Sequence, residues 1–340
     1  MGFLDFFKKK RESAPKPLPA KEVPEPKQFD EGIERGYNYL YESPEWQSFY
    51  STISEILPER PCLCVTGKNP DRIRQWYSLK WVHMIWITNI ETQLKSVAPE
   101  RIEFELTQYV LNFMKNNNGC AVFVDDVEFL TVITGFEKVI DFLKALGDTS
   151  AYTSSSVVVH ICPDFFSNTE ISLLKSIFDR TISPRSGKIE SRDATSFLTG
   201  RMPYPRLAEM VNVFGGLERK LVISVVHPDK LKPFFGADNE YYFITNTEQE
   251  IPVVRPWATE TDFIIALKKY IEKGGRTAVI DGLECVYSSV DFKRFLSFVK
   301  DITDIASREN IKLFCVFNEG IAKKIEAIAL KQRFDVYVSQ

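Results

Sequence analysis

The chain carries one pattern twice. Residues 121–146 read AVFVDDVEFLTVITGFEKVIDFLKAL, and residues 277–302 read TAVIDGLECVYSSVDFKRFLSFVKDI. At a shift of 156, Asp125 falls on Asp281, Glu128 on Glu284, Phe136 on Phe292, Phe142 on Phe298 and Lys144 on Lys300, and the apolar positions match. The register holds outside that window, since Asn69-Pro70-Asp71 meets His227-Pro228-Asp229 after 158 residues and Phe178-Asp179 meets Phe334-Asp335 after 156. A two-residue drift over so long a span is one small loop change. The expected architecture is therefore two copies of one α/β unit, and function has to be read from what both copies contain and what both lack.

With 340 residues, the chain has room for two domains of roughly 150 residues, each able to bury about two-thirds of its unfolded surface. A net charge of −3, with 26% charged and 44% hydrophobic residues, gives no global attraction to nucleic acid, and sequence-specific DNA binding is not expected. Cys62, Cys64, Cys120, Cys162, Cys285 and Cys315 sit in or beside apolar, β-rich runs without a CxxC pair. They read as buried thiols in a reducing cytoplasm. His83, His160 and His227 are widely spaced, which argues against a metal site. No apolar stretch reaches the ~18–20 residues needed to span a bilayer.

Four segments follow. Residues 1–36 form an apolar tip, Phe3, Leu4, Phe6 and Phe7 running into Lys8, Lys9 and Lys10, and then a proline-rich stretch expected to be a disordered tether. Residues 37–183 are the first repeat, 184–193 a polar linker (the PRSGKIESRD stretch), and 194–340 the second repeat. In the first repeat, short apolar runs at 37–41, 62–66, 84–88, 121–124 and 157–162 alternate with helical patterns, among them 99–115, 134–146 and 169–178. In the second, the runs at 196–199, 220–225, 241–244, 278–280, 312–317 and 335–338 alternate with helices near 204–214, 260–273, 290–306 and 320–331. Near-continuous apolar strands separated by helices indicate a parallel sheet covered on both faces.

The tandem "YNYLY…CLCVTGKNPD…VFVDDVEFL" and "FLTG…LVISVVHPDK…AVIDGLECV" resembles the archaeal domain of unknown function numbered 835, and the strand–loop–helix order resembles the RecA/KaiC-like branch of the P-loop fold. The likeness covers roughly residues 37–340. It implies two tandem, parallel-sheet RecA-like domains.

A working phosphate loop needs glycines whose backbone N–H groups wrap the phosphates, then a lysine and a Ser/Thr. Where the resemblance places that loop, the first repeat has Glu42-Ser43-Pro44-Glu45-Trp46-Gln47-Ser48, without glycine or lysine, and the second has Gly200-Arg201-Met202-Pro203-Tyr204-Pro205. Both repeats are expected to be dead as ATPases. Gly67-Lys68 follows the second strand, not the first, and is not a displaced phosphate-loop lysine. Asp125 and Asp281 close an apolar strand where active relatives hold Mg²⁺, with Glu128 and Glu284 three residues on. Without a phosphate to share the metal, these acids read as structural, capping the next helix in a capping-box-like arrangement.

No catalytic, cofactor or metal residue is assigned. Ser154-Ser155-Ser156 reads as a loop, Trp76, Tyr77, Trp81 and Trp86 as core and edge packing, and Lys323, Lys324, Lys331 and Arg333 as a solvated helix face. The leading function is a non-catalytic cytoplasmic interaction or regulatory scaffold for one or more protein partners, with Phe3, Leu4, Phe6, Phe7 and Lys8–Lys10 reaching a second partner. Self-association as a homodimer, a ribosome or another large assembly, and a membrane surface met through the N-terminal segment are the other destinations. A residual nucleotide binder or NTPase is the rival class.

Overall fold

A computed structural model describes residues 32–182 and 193–338. The first repeat contains β1 (Asn38–Glu42), α1 (Trp46–Ile56), β2 (Cys62–Thr66), α2 (Pro70–Trp76), β3 (His83–Ile87), β4 (Ser96–Val97), α3 (Thr107–Asn116), β5 (Ala121–Val124), α4 (Val127–Thr134), α5 (Phe136–Thr153), β6 (Ser156–Ile161), α6 (Asn168–Ile177) and β7 (Arg180–Ile182). The second contains β8 (Ser196–Thr199), α7 (Tyr204–Gly215), β9 (Lys220–Ser224), α8 (Pro228–Phe235), β10 (Glu240–Ile244), β11 (Val253–Val254), α9 (Ile264–Glu272), β12 (Thr277–Asp281), α10 (Leu283–Ser289), α11 (Phe292–Arg308), β13 (Lys312–Val316), α12 (Lys324–Lys331) and β14 (Val336–Val338).

Each half builds a seven-stranded sheet, ordered β4-β3-β2-β5-β6-β1-β7 in the first and β11-β10-β9-β12-β13-β8-β14 in the second. The second order is the first with every strand moved along by one repeat, and every paired strand runs parallel. The fold class is α/β with two tandem parallel sheets, an order consistent with RecA-like domains. All residues of β2, β5 and β6 are buried, which is why their sequences are unbroken apolar runs and do not alternate.

Local chemistry repeats too. The Asn69 side chain accepts from Asp71 N, and His227 from Asp229 N, each ahead of a proline in the first turn of α2 or α8. The single helices expected at 134–146 and 290–306 are each preceded by a separate short helix. Gly135, at φ 97, divides α4 from α5, and Asp291, whose side chain accepts from Arg294 N, starts α11 afresh. The helix expected from residue 99 begins with a 3₁₀ turn and a π-helical turn at Ile102–Leu106, and the corresponding turn before α9 is π-helical at Thr259–Phe263. Helix α8 and the two- and three-residue edge strands β4, β7 and β11 are additions to the sequence reading.

The two cores are continuous across the halves. Leu296 of α11 and Ala329 of α12, both buried, belong to the cluster built around Phe129, Leu130 and Ile133 of α4, and Phe292 and Ile328 pack against it. Complete burial of a Leu-sized side chain contributes roughly 1.5–3 kcal/mol, so the two halves are glued as well as joined. All six cysteines are free thiols, five of them buried. No helix among the described residues is long and apolar enough to cross a membrane.

Candidate functional site

Ligands of open parallel α/β sheets bind outside the carboxyl ends of the strands. At that edge of the first sheet, Asp125 follows β5 and is 3% exposed. Its Oδ1 lies 2.8 Å from His160 Nδ1 on β6, and its Oδ2 accepts from the Tyr50 hydroxyl of α1 at 2.8 Å. Tyr50 has one proton and gives it to Asp125, so the Thr66 hydroxyl, 2.6 Å away, donates to Tyr50. His160 Nε2 is 3.1 Å from the Ser43 carbonyl. A carbonyl and a carboxylate both accept, so both ring nitrogens donate and His160 is an imidazolium paired with Asp125.

Burial alone would raise the Asp125 carboxyl, but the hydrogen bond and charge of His160 outweigh it and hold the group below its usual value. Burial likewise opposes the His160 cation, and Asp125 restores it and carries it above the ordinary range. Glu128, on α4, accepts from the Cys162 backbone N–H. Burial pushes its carboxyl up to about 7 against the pull of His160 and that N–H.

These contacts correct the capping role expected for the strand-end acids. Asp125 braces β5 against β6 and α1, Glu128 ties α4 to the end of β6, and the residue that opens α4 is Asp126, whose side chain makes no cap. The second sheet keeps the same logic with one loss. Asp281 Oδ2 accepts from the Tyr204 and Ser224 hydroxyls, each at 2.8 Å, and Glu284 Oε1 accepts from Asn318 N at 2.8 Å. The β13 residue beside Asp281 is Val316, so no histidine completes it.

Asp126 does something its counterpart does not. It holds a left-handed backbone, φ 74, a conformation that aspartate tolerates better than most residues. Its carboxylate takes a two-pronged contact from Arg333 of the second half, Nη1–Oδ2 at 2.7 Å and Nη2–Oδ1, with both side chains almost wholly buried. Arg333 was expected on a solvated face; it points instead into the first half, over the Phe129 ring. Lys323, 84% exposed, does lie in solvent.

Around this pair, residues 332–335 lie against the Glu42–Ser48 loop. Gln332 Nε2 donates to the Pro44 carbonyl at 2.6 Å, Trp46 Nε1 to the Phe334 carbonyl at 3.4 Å, and Gln47 Nε2 to the Asp335 carbonyl at 3.0 Å. Lys68 Nζ donates to the Gln332 carbonyl at 2.7 Å and sits over the Trp46 ring. From α11, Lys300 Nζ donates to the Gly67 carbonyl at 2.8 Å and to Asp304 Oδ2 at 2.6 Å, and Asp304 Oδ2 also accepts from Thr88. The carboxyl edge of the first sheet is thus filled by protein. Trp86 is buried, Trp76 stacks on Trp46, and Trp81 is half exposed. The candidate partner residues Phe3, Leu4, Phe6, Phe7 and Lys8–Lys10 lie outside the described residues.

No group of three or more His, Cys, Asp or Glu among the described residues is arranged to hold a metal ion. Histidine spacing along the chain hid the Asp125–His160 pair, which only the β5–β6 register brings together. Fold and site together define a tandem parallel α/β protein in which the carboxyl edge of the first sheet is closed by the second half of the chain. Residues 44–178 match the model of the family described as "Protein of unknown function (DUF835)", and this segment is similar to that family. No curated protein matches it. Among solved structures, a structural study of a Pyrococcus horikoshii OT3 protein is 10% identical, covering 45% of this chain and 84% of that one at a TM-score of 0.35, too slight a likeness to carry an argument.

Proposed function

We propose that this protein is a non-catalytic interaction or regulatory scaffold made of two RecA-like repeats with degenerate phosphate loops. The observation that carries this reading is the buried Arg333–Asp126 pair, set among the contacts of residues 332–335 with Pro44, Trp46 and Gln47. A nucleotide would need the space those groups occupy. The loop also offers no glycine or lysine and would set Glu42 and Glu45 against a triphosphate. Outer surfaces and the N-terminal segment are then left for partners, which we take to be proteins, with a ribosome-sized or membrane-bound assembly as the second destination.

The rival class, a residual nucleotide hydrolase, requires the Arg333–Asp126 pair to open. Calorimetric titration of the full chain with Mg-ATP and Mg-GTP tests the reading. No binding heat is expected, and micromolar affinity for either nucleotide would overturn it.

A further inference from the structure

The seam between the halves is not completely packed. Between the turn after β2, helix α11 and the 333–335 segment, a void of about 20 Å³ remains, enough for one particle of about the size of a water molecule. Lys68, Arg72, Lys300 and Arg333 line it, against Asp304 and Asp335. Asp126 neutralises Arg333 from outside the void. Among the groups that line the void, four cations therefore face two carboxylates, while the other acids that act on them, Asp125, Asp126, Glu128 and Asp193, stand outside it; the excess of positive charge faces a space largely withdrawn from solvent.

Hydrogen-bond donors are left over as well. Arg333, with a side chain 2% exposed, has no partner for its Nε. Lys68 gives one hydrogen bond from its ammonium, to Gln332, out of the three it can give. Burial and the neighbouring Arg333 push that ammonium down to about 8, as expected for a cation held beside another cation.

A water molecule would accept from these donors but would bring two protons of its own and leave the charge in place. A polyatomic anion such as phosphate is too large for the space. We propose that the void is a binding site for one monatomic anion of the halide class, chloride in the cell, held by Lys68 of the first half and Arg333 and Lys300 of the second. The anion neutralises the excess charge and bridges the two halves. A wider cleft of about 810 Å³ shares Asn69, Arg72, Trp76 and Ser307 with the void and supplies the way in. The site belongs to the seam alone, because in the other copy Lys68 is replaced by Val226 and Arg333 by Ile177.

The test uses the full chain at constant ionic strength, with chloride replacing gluconate, and crystals soaked in bromide. The melting temperature is expected to rise with chloride and to saturate after a shift of roughly 2–4 °C, and Lys68→Met is expected to abolish the rise. An anomalous bromide peak between Lys68 and Arg333 is expected in the wild-type crystal, and this readout stands even if the variant does not fold. A map that shows water and no bromide at that place overturns the proposal whatever the melts show, as does a melting temperature indifferent to the anion.

Discussion

The carboxylate of Asp126 lies directly over the α-carbon of Gly67, so closely that a methyl group added at residue 67 would fall 1.6 Å from Oδ2. The second half solves the same contact with the sizes exchanged. Gly282 stands where Asp126 does, and the Val225 side chain covers it, 2.4 Å from where a Cβ would be. One bulky side chain fits between these two turns, and the first half spends that space on the carboxylate that receives Arg333.

Gly67→Ala is therefore expected to lower stability by about 2–3 kcal/mol, as overpacking of a closed contact does. Gly147→Ala, in α5 and with only Asn38 Nδ2 at 3.6 Å, is the control and should raise stability by about 0.4–1 kcal/mol. Denaturant midpoints of both variants check the contrast. Similar losses in the two would deny the Gly67–Asp126 contact its role.

Removing one partner of the buried ion pair should cost more than removing both. Arg333→Met leaves Asp126 charged, buried and unpaired, at an expected cost of about 3–5 kcal/mol. Adding Asp126→Asn, which keeps a residue tolerant of the left-handed backbone, should recover at least about 1 kcal/mol of that loss. A double-mutant cycle in urea measures the coupling, and strictly additive losses would mean that the pair does not hold the seam.

Three groups fix the sign of the pH dependence. His160 titrates in the fold above its usual 6.5, so its contribution is complete below that pH and is lost as pH rises through the folded value. Asp125 titrates below its usual 3.8, so its contribution is present above that pH and is lost on acidification. The pair is thus worth most between these limits. Glu128, raised from 4.5 to about 7, also makes stability fall as pH rises between those values. Melting temperature should decline from pH 6 to 8, and Glu128→Gln should flatten the slope. A rise over that interval would contradict a protonated His160 and a raised Glu128.

Deleting residues 1–28 should leave the melting temperature within about 1 °C, because a segment so rich in proline and charge has a composition that does not build a packed core. The same deletion should remove one partner from a pull-down with the full chain as reference. Retention of every partner would dismiss the apolar tip as a docking element, whereas loss of liposome binding alone would point to a membrane surface.

Comparison of the repeats makes the sheets legible, since buried parallel strands print themselves as apolar runs whatever their partners. Edge strands of two or three residues such as β4 and β11 leave no such print. The site was harder to see because its members are adjacent only after folding. Asp125 and His160 are 35 residues apart, and Asp126 and Arg333 are 207 apart. A usable signal was nevertheless present in the mismatches between the copies. Asp126 against Gly282, His160 against Val316 and Arg333 against Ile177 are positions where the first and second halves do different work. Lys300 shows the limit of that signal, since Lys144 is its identical counterpart yet lies exposed on α5 while Lys300 is buried.

The seam joins unlike surfaces, the strand ends of one half and the back of the other. Contacts of that head-to-tail kind normally leave each end ready to accept another subunit, and they build rings or open-ended fibres. Here the ion pair that closes the seam has no counterpart at either outer end of the described residues. Gly282 offers the next arriving subunit no carboxylate, and Ile177 gives the trailing one no guanidinium to insert. The exchange of a few side chains between the halves thus confines the Arg333–Asp126 kind of contact to the one seam inside this chain.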